Sequence, residues 1–255
     1  MRGLPKPIVR TLEAFAPKAA VALRAWKHFY SGEAELRLLP ALCDREKCAF
    51  DIGGNLGVYT YFMARFSKAV MTFEPHPELA AQLRRGFGGR VQIEECALSS
   101  REGVAALSIP LVEGIEEPGL GSIDGEGAAG LPIGRKVEVP TRCLDDFLER
   151  PVGFVKIDVE GHELSALEGG RRFIAAHRPS FLIEAEERHR KDAIGTLVAF
   201  LNRHGYAGYF LKDRELYPIE ALGKAGSNMF IPNNFLFFAG DAQRDRVRLF
   251  LEQTA

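Results

Sequence analysis

Four acids close apolar runs in this chain: Asp51, Glu74, Asp158 and Glu184. An ionised group at the end of a buried strand is costly unless it has a partner or a task, so the search for chemistry starts there. Asp51 opens Asp51-Ile-Gly-Gly-Asn-Leu-Gly57, a small-residue turn leading into an apolar helical pattern from Val58. Gly53, Gly54 and Gly57 let the backbone turn sharply and let a ligand lie against it with no Cβ between. Glu74 ends the next apolar run, 23 residues after Asp51, where a carboxylate can accept both hydroxyls of a ribose. The strand, loop and helix are those of a nucleotide-binding α/β sheet.

The loop does not suit a dinucleotide. That fingerprint needs G-x-G-x-x-G, and Asn55 and Val58 stand where two of the three glycines belong. An acid before the loop fits a cationic or zwitterionic ligand better than a polyphosphate. Together these residues favour S-adenosylmethionine over NAD, with Asp51, Gly53, Gly54, Asn55, Gly57, Tyr59, Glu74 and Pro75 as its contacts. Cys96, Ala97 and Leu98, at the end of a third strand, stand beside the adenine.

Proton chemistry points further along. Val155-Lys-Ile-Asp-Val-Glu-Gly-His-Glu163 ends a fourth apolar strand in Asp158, followed by Glu160, His162 and Glu163. Glu184 ends the fifth. A hydroxyl acceptor needs its proton removed by a base or its pKa lowered by a metal. Asp158, Glu184 and His162 are the candidate catalytic groups. The acid pair could take the proton directly or hold a divalent cation through oxygen. With no histidine cluster to make a transition-metal site, the metal-free route is favoured and no metal ligand is assigned. For His162 the simpler expectation is a solvent-facing residue of a first helical turn; Glu163 is expected to support that turn. His76 and His189 are expected at the surface; Glu33 and Glu35 could reach the cofactor edge, with a solvated helix face the simpler expectation.

The elements that must position these groups alternate in type. A basic amphipathic helix, with Leu12, Phe15, Ala19, Leu23, Trp26 and Tyr30 at helical spacing and a break at Pro17, precedes a second helix over 32–42. Residues 1–47 form an N-terminal helical appendage, packed on the core, and 48–255 the main domain. The order β-α-β-α-β, insertion, β-α-β-α-β-β predicts a mostly parallel seven-stranded sheet with one antiparallel edge strand. Alternation over 104–109 and 136–141 predicts an inserted β-hairpin. Between its arms, 110–135 carries seven glycines, three prolines and five acids, which reads as a lid over the crevice mouth. The acids at 145 and 146 are expected to cap a short helix.

Composition sets the limits. A chain of 255 residues with 46% hydrophobic and 26% charged residues and a formal net charge of −1 fits one large domain. Nothing in that balance recruits nucleic acid or an anionic bilayer. The four cysteines form no CxxC pair, as in a cytoplasmic protein with reduced thiols. No apolar run reaches the ~18 residues of a membrane span, and two early prolines make a poor signal peptide.

Asp51-Ile-Gly-Gly-Asn-Leu-Gly57, Phe73-Glu-Pro75, Ala97-Leu98, Leu144-Asp-Asp146, the Val155–Glu163 stretch and Ile183-Glu184 together resemble the FkbM family of S-adenosylmethionine-dependent methyltransferases, in that family's order. The resemblance spans about half the chain. It departs at Gly54, where alanine is commoner, and at Arg142-Cys143, where a threonine is common. It implies an α/β class I (Rossmann-like) methyltransferase fold and methyl transfer, usually onto a hydroxyl oxygen of a sugar, polyketide or other small natural product. Two alternatives from other classes stand beside it: a NAD-dependent oxidoreductase, which lacks the glycine spacing, and a non-catalytic cofactor-binding protein, which has no need of Asp158 or Glu184.

Overall fold

Cys48–Ile52 is buried along its whole length, as a near-continuous apolar run is when both faces of a parallel sheet are covered. The computed structural model describes residues 12–123, 130–186, 192–222 and 232–254. Helix α1 (Pro17–Ser31), a 3-10 turn (Ala34–Leu38) and the short α2 (Leu39–Leu42) lead into that central strand, β1. Next come α3 (Val58–Phe66), β2 (Ala69–Phe73), α4 (Pro77–Phe87) and β3 (Gln92–Glu94). The insertion supplies β4 (Ala97–Leu98), β5 (Gly103–Val112), β6 (Ile115–Glu116) and β7 (Ile133–Arg142). The main sheet resumes with β8 (Val152–Ile157), α5 (Glu163–Glu168), α6 (Arg171–His177) and β9 (Ser180–Glu184). The chain closes through α7 (Ala193–Arg203), β10 (Ala207–Lys212), β11 (Glu215–Pro218), β12 (Asn234–Phe238) and α8 (Asp241–Gln253).

Among the described residues the main sheet has eight strands in the order β11-β10-β12-β9-β8-β1-β2-β3, one more than the seven expected. Parallel pairing runs from β3 through β2, β1 and β8 to β9. The antiparallel β12 is not at the edge: it lies between β9 and β10. The edge is β11, which folds back on β10 through Asp213 and Arg214, both at positive φ. Turns of that kind are usually announced by Asn-Gly or Asp-Gly, and Asp-Arg carries no such signal.

Two apolar layers flank the sheet. On one face Phe50 stacks on Phe173 at 5.4 Å and Phe73 meets Phe147 at 4.9 Å, beneath α5, α6 and α7. On the other, Ala49, Val70 and Phe154 pack against Leu36, Leu39, Phe62 and Met63. Helix α1 covers this second layer, with Pro17 in its first turn. Its buried side is Ala20, Val21 and Ala25, while Leu23 and Tyr30, and Phe15 just before the helix, are exposed. Trp26, on the stripe marked out by helical spacing, is partly exposed and meets Phe62 of this layer at 5.3 Å. Close approach explains the choice: a Cβ on Gly86 of α4 would lie 2.5 Å from Val21 Cγ2, so small residues are what fit there.

The insertion is a second sheet, β4-β7-β5-β6. Its long arms pair antiparallel, Ala105 opposite Val139 and Leu107 opposite Val137, as their alternation predicts. The stretch between them is more regular than expected, because β5 runs on to Val112, β6 pairs with it and a 3-10 turn (Pro118–Leu120) follows. Residues 124–129, and His189, lie outside the described residues. Among those described, no helix is long and apolar enough to cross a membrane.

Candidate active site

Parallel strands place their carboxyl ends on one side of a sheet, and a cavity of about 250 Å³ opens there. Gly53, Asn55, Glu74, Pro75, Cys96, Ala97, Leu98, Asp158, His162 and Glu184 all line it. A smaller chamber of about 140 Å³ shares Glu33, Gly53, Asn55 and Asp158 with it and adds Asp51, Gly54, Tyr59 and Lys156. Of the residues marked out by the sequence, Gly57 alone lines neither chamber. A Cβ there would meet Phe87 at 2.8 Å and Leu83 at 2.9 Å, so its task is to seat α3 on α4.

The glycine loop is held by its neighbours rather than left free. Gly53, at φ +86, passes so close to the Asp158 carbonyl that a Cβ would overlap it at 1.8 Å. The Asn55 N–H donates to Glu74 Oε2 at 2.7 Å and the His76 N–H to Glu74 Oε1 at 2.8 Å. One carboxylate thus ties the loop to the end of β2, with lone pairs left on each oxygen. Burial pushes the Glu74 carboxyl up to about 7, against those two amides. Asp51 is 2% exposed and accepts the Thr60 hydroxyl, which also lies 3.0 Å from Thr72 Oγ1. Burial raises Asp51 to about 6, with Thr60 and Lys156 opposing.

Asp158 and Glu184 end adjacent strands in register, Ile157 being paired with Ile183. Between them lies the Lys156 ammonium, 3.6 Å from an oxygen of each. Burial and the Asp158 charge raise Glu184 above the ordinary glutamate range, and Lys156 pulls it back. His162 is not solvent-facing: it is 5% exposed, with Nε2 3.0 Å from Ser99 Oγ. The chain at Ser99 is pressed inward, since a Cβ on Gly169 would lie 2.0 Å from its carbonyl oxygen. Glu163 supports the turn as expected, accepting the Gly161 N–H at 2.9 Å. Among the described residues no group of three or more His, Cys, Asp or Glu could hold a metal ion.

Two other expectations are corrected. Glu35 is 8% exposed rather than on a solvated face; Glu33 is exposed, yet its Oε2 accepts Tyr59 Oη–H at 2.5 Å and Asn234 Nδ2–H at 3.1 Å, and it lines both chambers. His76 is 1% exposed rather than at the surface, and burial lowers its pKa. Lys156 carried no role in the sequence beyond its place in the motif. Its signal was there, in a lone cation inside an apolar strand. Leu107, Pro118, Gly119, Leu120, Gly121 and Ile123 bring the insertion over the cavity, and Asn55 Nδ2 reaches the Gly119 carbonyl at 3.5 Å.

Residues 51–207, well over half of the chain, match the model of the methyltransferase FkbM domain. The chain belongs to the FkbM methyltransferase family. The cofactor of that family is S-adenosylmethionine. A protein of Beauveria bassiana named Methyltransferase 1 is 28% identical over 144 residues, 47% of this chain and 56% of that protein. The chain thus spans little more than half the length of that curated relative. A crystal structure of an FkbM methyltransferase from Methylobacillus flagellatus aligns with a TM-score of 0.47 at 18% identity, covering 91% of this chain and 58% of that one. A putative methyltransferase from Streptococcus mutans, solved in complex with SAH, aligns with a TM-score of 0.44 at 12% identity, covering 80% and 93%.

Proposed function

We propose that this protein methylates a hydroxyl oxygen of a small-molecule acceptor, of the sugar, polyketide or natural-product kind. The observation that carries the reading is the placement of Asp158 and Glu184, at adjacent strand ends, in the same cavity wall as Gly53, Asn55 and Glu74. A cavity floored by a glycine loop and walled by acids fits a cationic nucleoside. Glu74 would take the ribose hydroxyls, Pro75 and Cys96–Leu98 the adenine, and Asp51, Gly53, Gly54, Asn55 and Tyr59 the amino-acid end. The first 47 residues would belong to the same site through Glu33. The cofactor, when bound, supplies an electrophilic methyl group on a sulfonium.

The chain's part is positioning and proton removal. Asp158 would accept the proton of the acceptor hydroxyl, with Glu184 beside it to share that proton. His162, turned toward Ser99, is the competing base. The insertion excludes water from above, which strengthens each of these interactions. An acid-lined cavity in a chain of net charge −1 repels a polyanion, so nucleic acid is a poor acceptor.

The test is methyl transfer to a panel of hydroxylated small molecules. Asp158→Asn keeps the shape and removes the charge. It should lower turnover by about 10²–10⁴-fold, the usual share of a general base. Affinity for S-adenosylmethionine should change less than roughly tenfold. Turnover equal to wild type would place the catalytic centre elsewhere. Loss of activity with chelator, restored by magnesium, would select the metal route over the direct one.

A further inference from the structure

Lys156 lies on β8, two residues before Asp158, which directly follows the strand, and the two side chains meet at the strand's end. It is 1% exposed, and its Nζ has no hydrogen-bond partner among the described residues. The nearest charges are Asp158 Oδ2 and Glu184 Oε2, each 3.6 Å away, and the Tyr59 ring centre is 5.1 Å from Nζ. Nζ is itself sealed from solvent. Lys156 lines the smaller chamber and not the larger, so toward the larger cavity its ammonium acts through the two carboxylates, which do line it.

We propose that Lys156 is the positioning residue of the acid pair: its buried ammonium holds Asp158 and Glu184 side by side and keeps the pair able to accept a proton near neutral pH. The inference rests on the reading of that pair as the proton acceptor. Two carboxylates at adjacent strand ends repel, and alone they would hold a shared proton tightly and be a poor base. A cation equidistant from both offsets that repulsion and lowers the pair's proton affinity.

The surroundings leave this task to Lys156. Asp51 is its register neighbour on β1, and Glu33 approaches from the segment before the 3-10 turn; both add negative charge. Glu35, buried in that turn, also feels Lys156, and Tyr59 closes the remaining side from α3. Arg24 and His28 reach only the smaller chamber, from α1. Burial works against the ammonium's charge, yet Asp158, Glu184, Glu33 and Asp51 together hold it above its usual range. For Glu184, Lys156 is the group that lowers a carboxyl otherwise raised by burial, Asp158 and Glu33.

The experiment is a carboxyl titration of the cofactor-free protein by ¹³C NMR, which needs neither acceptor nor turnover. In Lys156→Met the midpoint of the Asp158/Glu184 pair should rise by about one pH unit or more. The rising limb of the pH–rate profile should move with it. Lys156→Arg, which keeps the charge, should leave the midpoint near that of wild type. A midpoint in Lys156→Met superimposable on wild type overturns the proposal, whether or not the protein methylates anything. If the Lys156→Met and Lys156→Arg titrations come out as expected and no hydroxyl compound is methylated, the function assigned to the pair fails and the role of Lys156 stands.

Discussion

Gly54 shows how closely residues of this loop are matched to the strand beneath. A Cβ there would lie 2.2 Å from Thr72 Cγ2, and Thr72 shares the buried hydroxyl network of Thr60 and Asp51. The glycine at this alanine-favouring position is thus paired with Thr72. Gly54→Ala should destabilise by about 1–3 kcal/mol, the scale of overpacking, read as a lowered thermal midpoint. Gly54→Ala combined with Thr72→Ser should recover part of that loss; no recovery would mean the clash is not the cause. At this scale the strand-end acids were legible, because Asp51, Glu74, Asp158 and Glu184 each interrupt an apolar run. Glu33 and His76 were not. Glu33 is exposed, yet its carboxylate is engaged by a residue 201 positions away, Asn234, and no local pattern encodes that.

Among the elements, the insertion bears most on function. Ser108 and Ser122 exchange both backbone hydrogen bonds, at 2.8 and 3.1 Å. That bridge pins the segment carrying Pro118–Gly121 and Ile123 across the cavity. The hydroxyl of Ser122 also donates to the Glu160 carbonyl at 2.8 Å, tying the insertion to the loop after β8. If the segment closes over bound cofactor and acceptor, amide exchange at 107–123 should slow on saturation with both. Unchanged exchange would make it a fixed wall. The paired arms β5 and β7 were readable from their period of two. Helix α6 was not anticipated, because its start is set by a distant residue. Asp145 Oδ1 accepts the Phe173 N–H at 2.7 Å, reaching across from the short helix in which Asp146 caps its own Cys143 N–H. The expected capping role of these acids is therefore split between two helices.

For the whole molecule, the buried acids set how stability depends on pH. The folded pKa of Glu74 is near 7 and that of Asp51 near 6, above their unfolded values of 4.5 and 3.8. A group raised in this way binds its proton more tightly when folded, so its contribution is present at low pH and lost as pH rises through the folded pKa. Glu184 is raised as well. Lowering the pH from 8.5 to 6.5 should therefore stabilise the cofactor-free protein through Glu184 and Glu74, by up to about 1.4 kcal/mol per pH unit for each group titrating, read as a raised thermal midpoint. Below about 6.5 His28, His76 and His177, whose pKa values burial lowers, oppose the trend. A midpoint flat or falling over 8.5 to 6.5 would mean that Glu74 and Glu184 are ionised in the fold. Titration calorimetry tests most directly whether the crevice at the carboxyl ends of β1, β2, β8 and β9 is built for S-adenosylmethionine. Wild type should bind S-adenosylmethionine and not NAD, and Glu74→Ala should weaken that binding by about 1–3 kcal/mol, the scale of lost charged hydrogen bonds. Tight NAD binding, or no heat with S-adenosylmethionine, would contradict it.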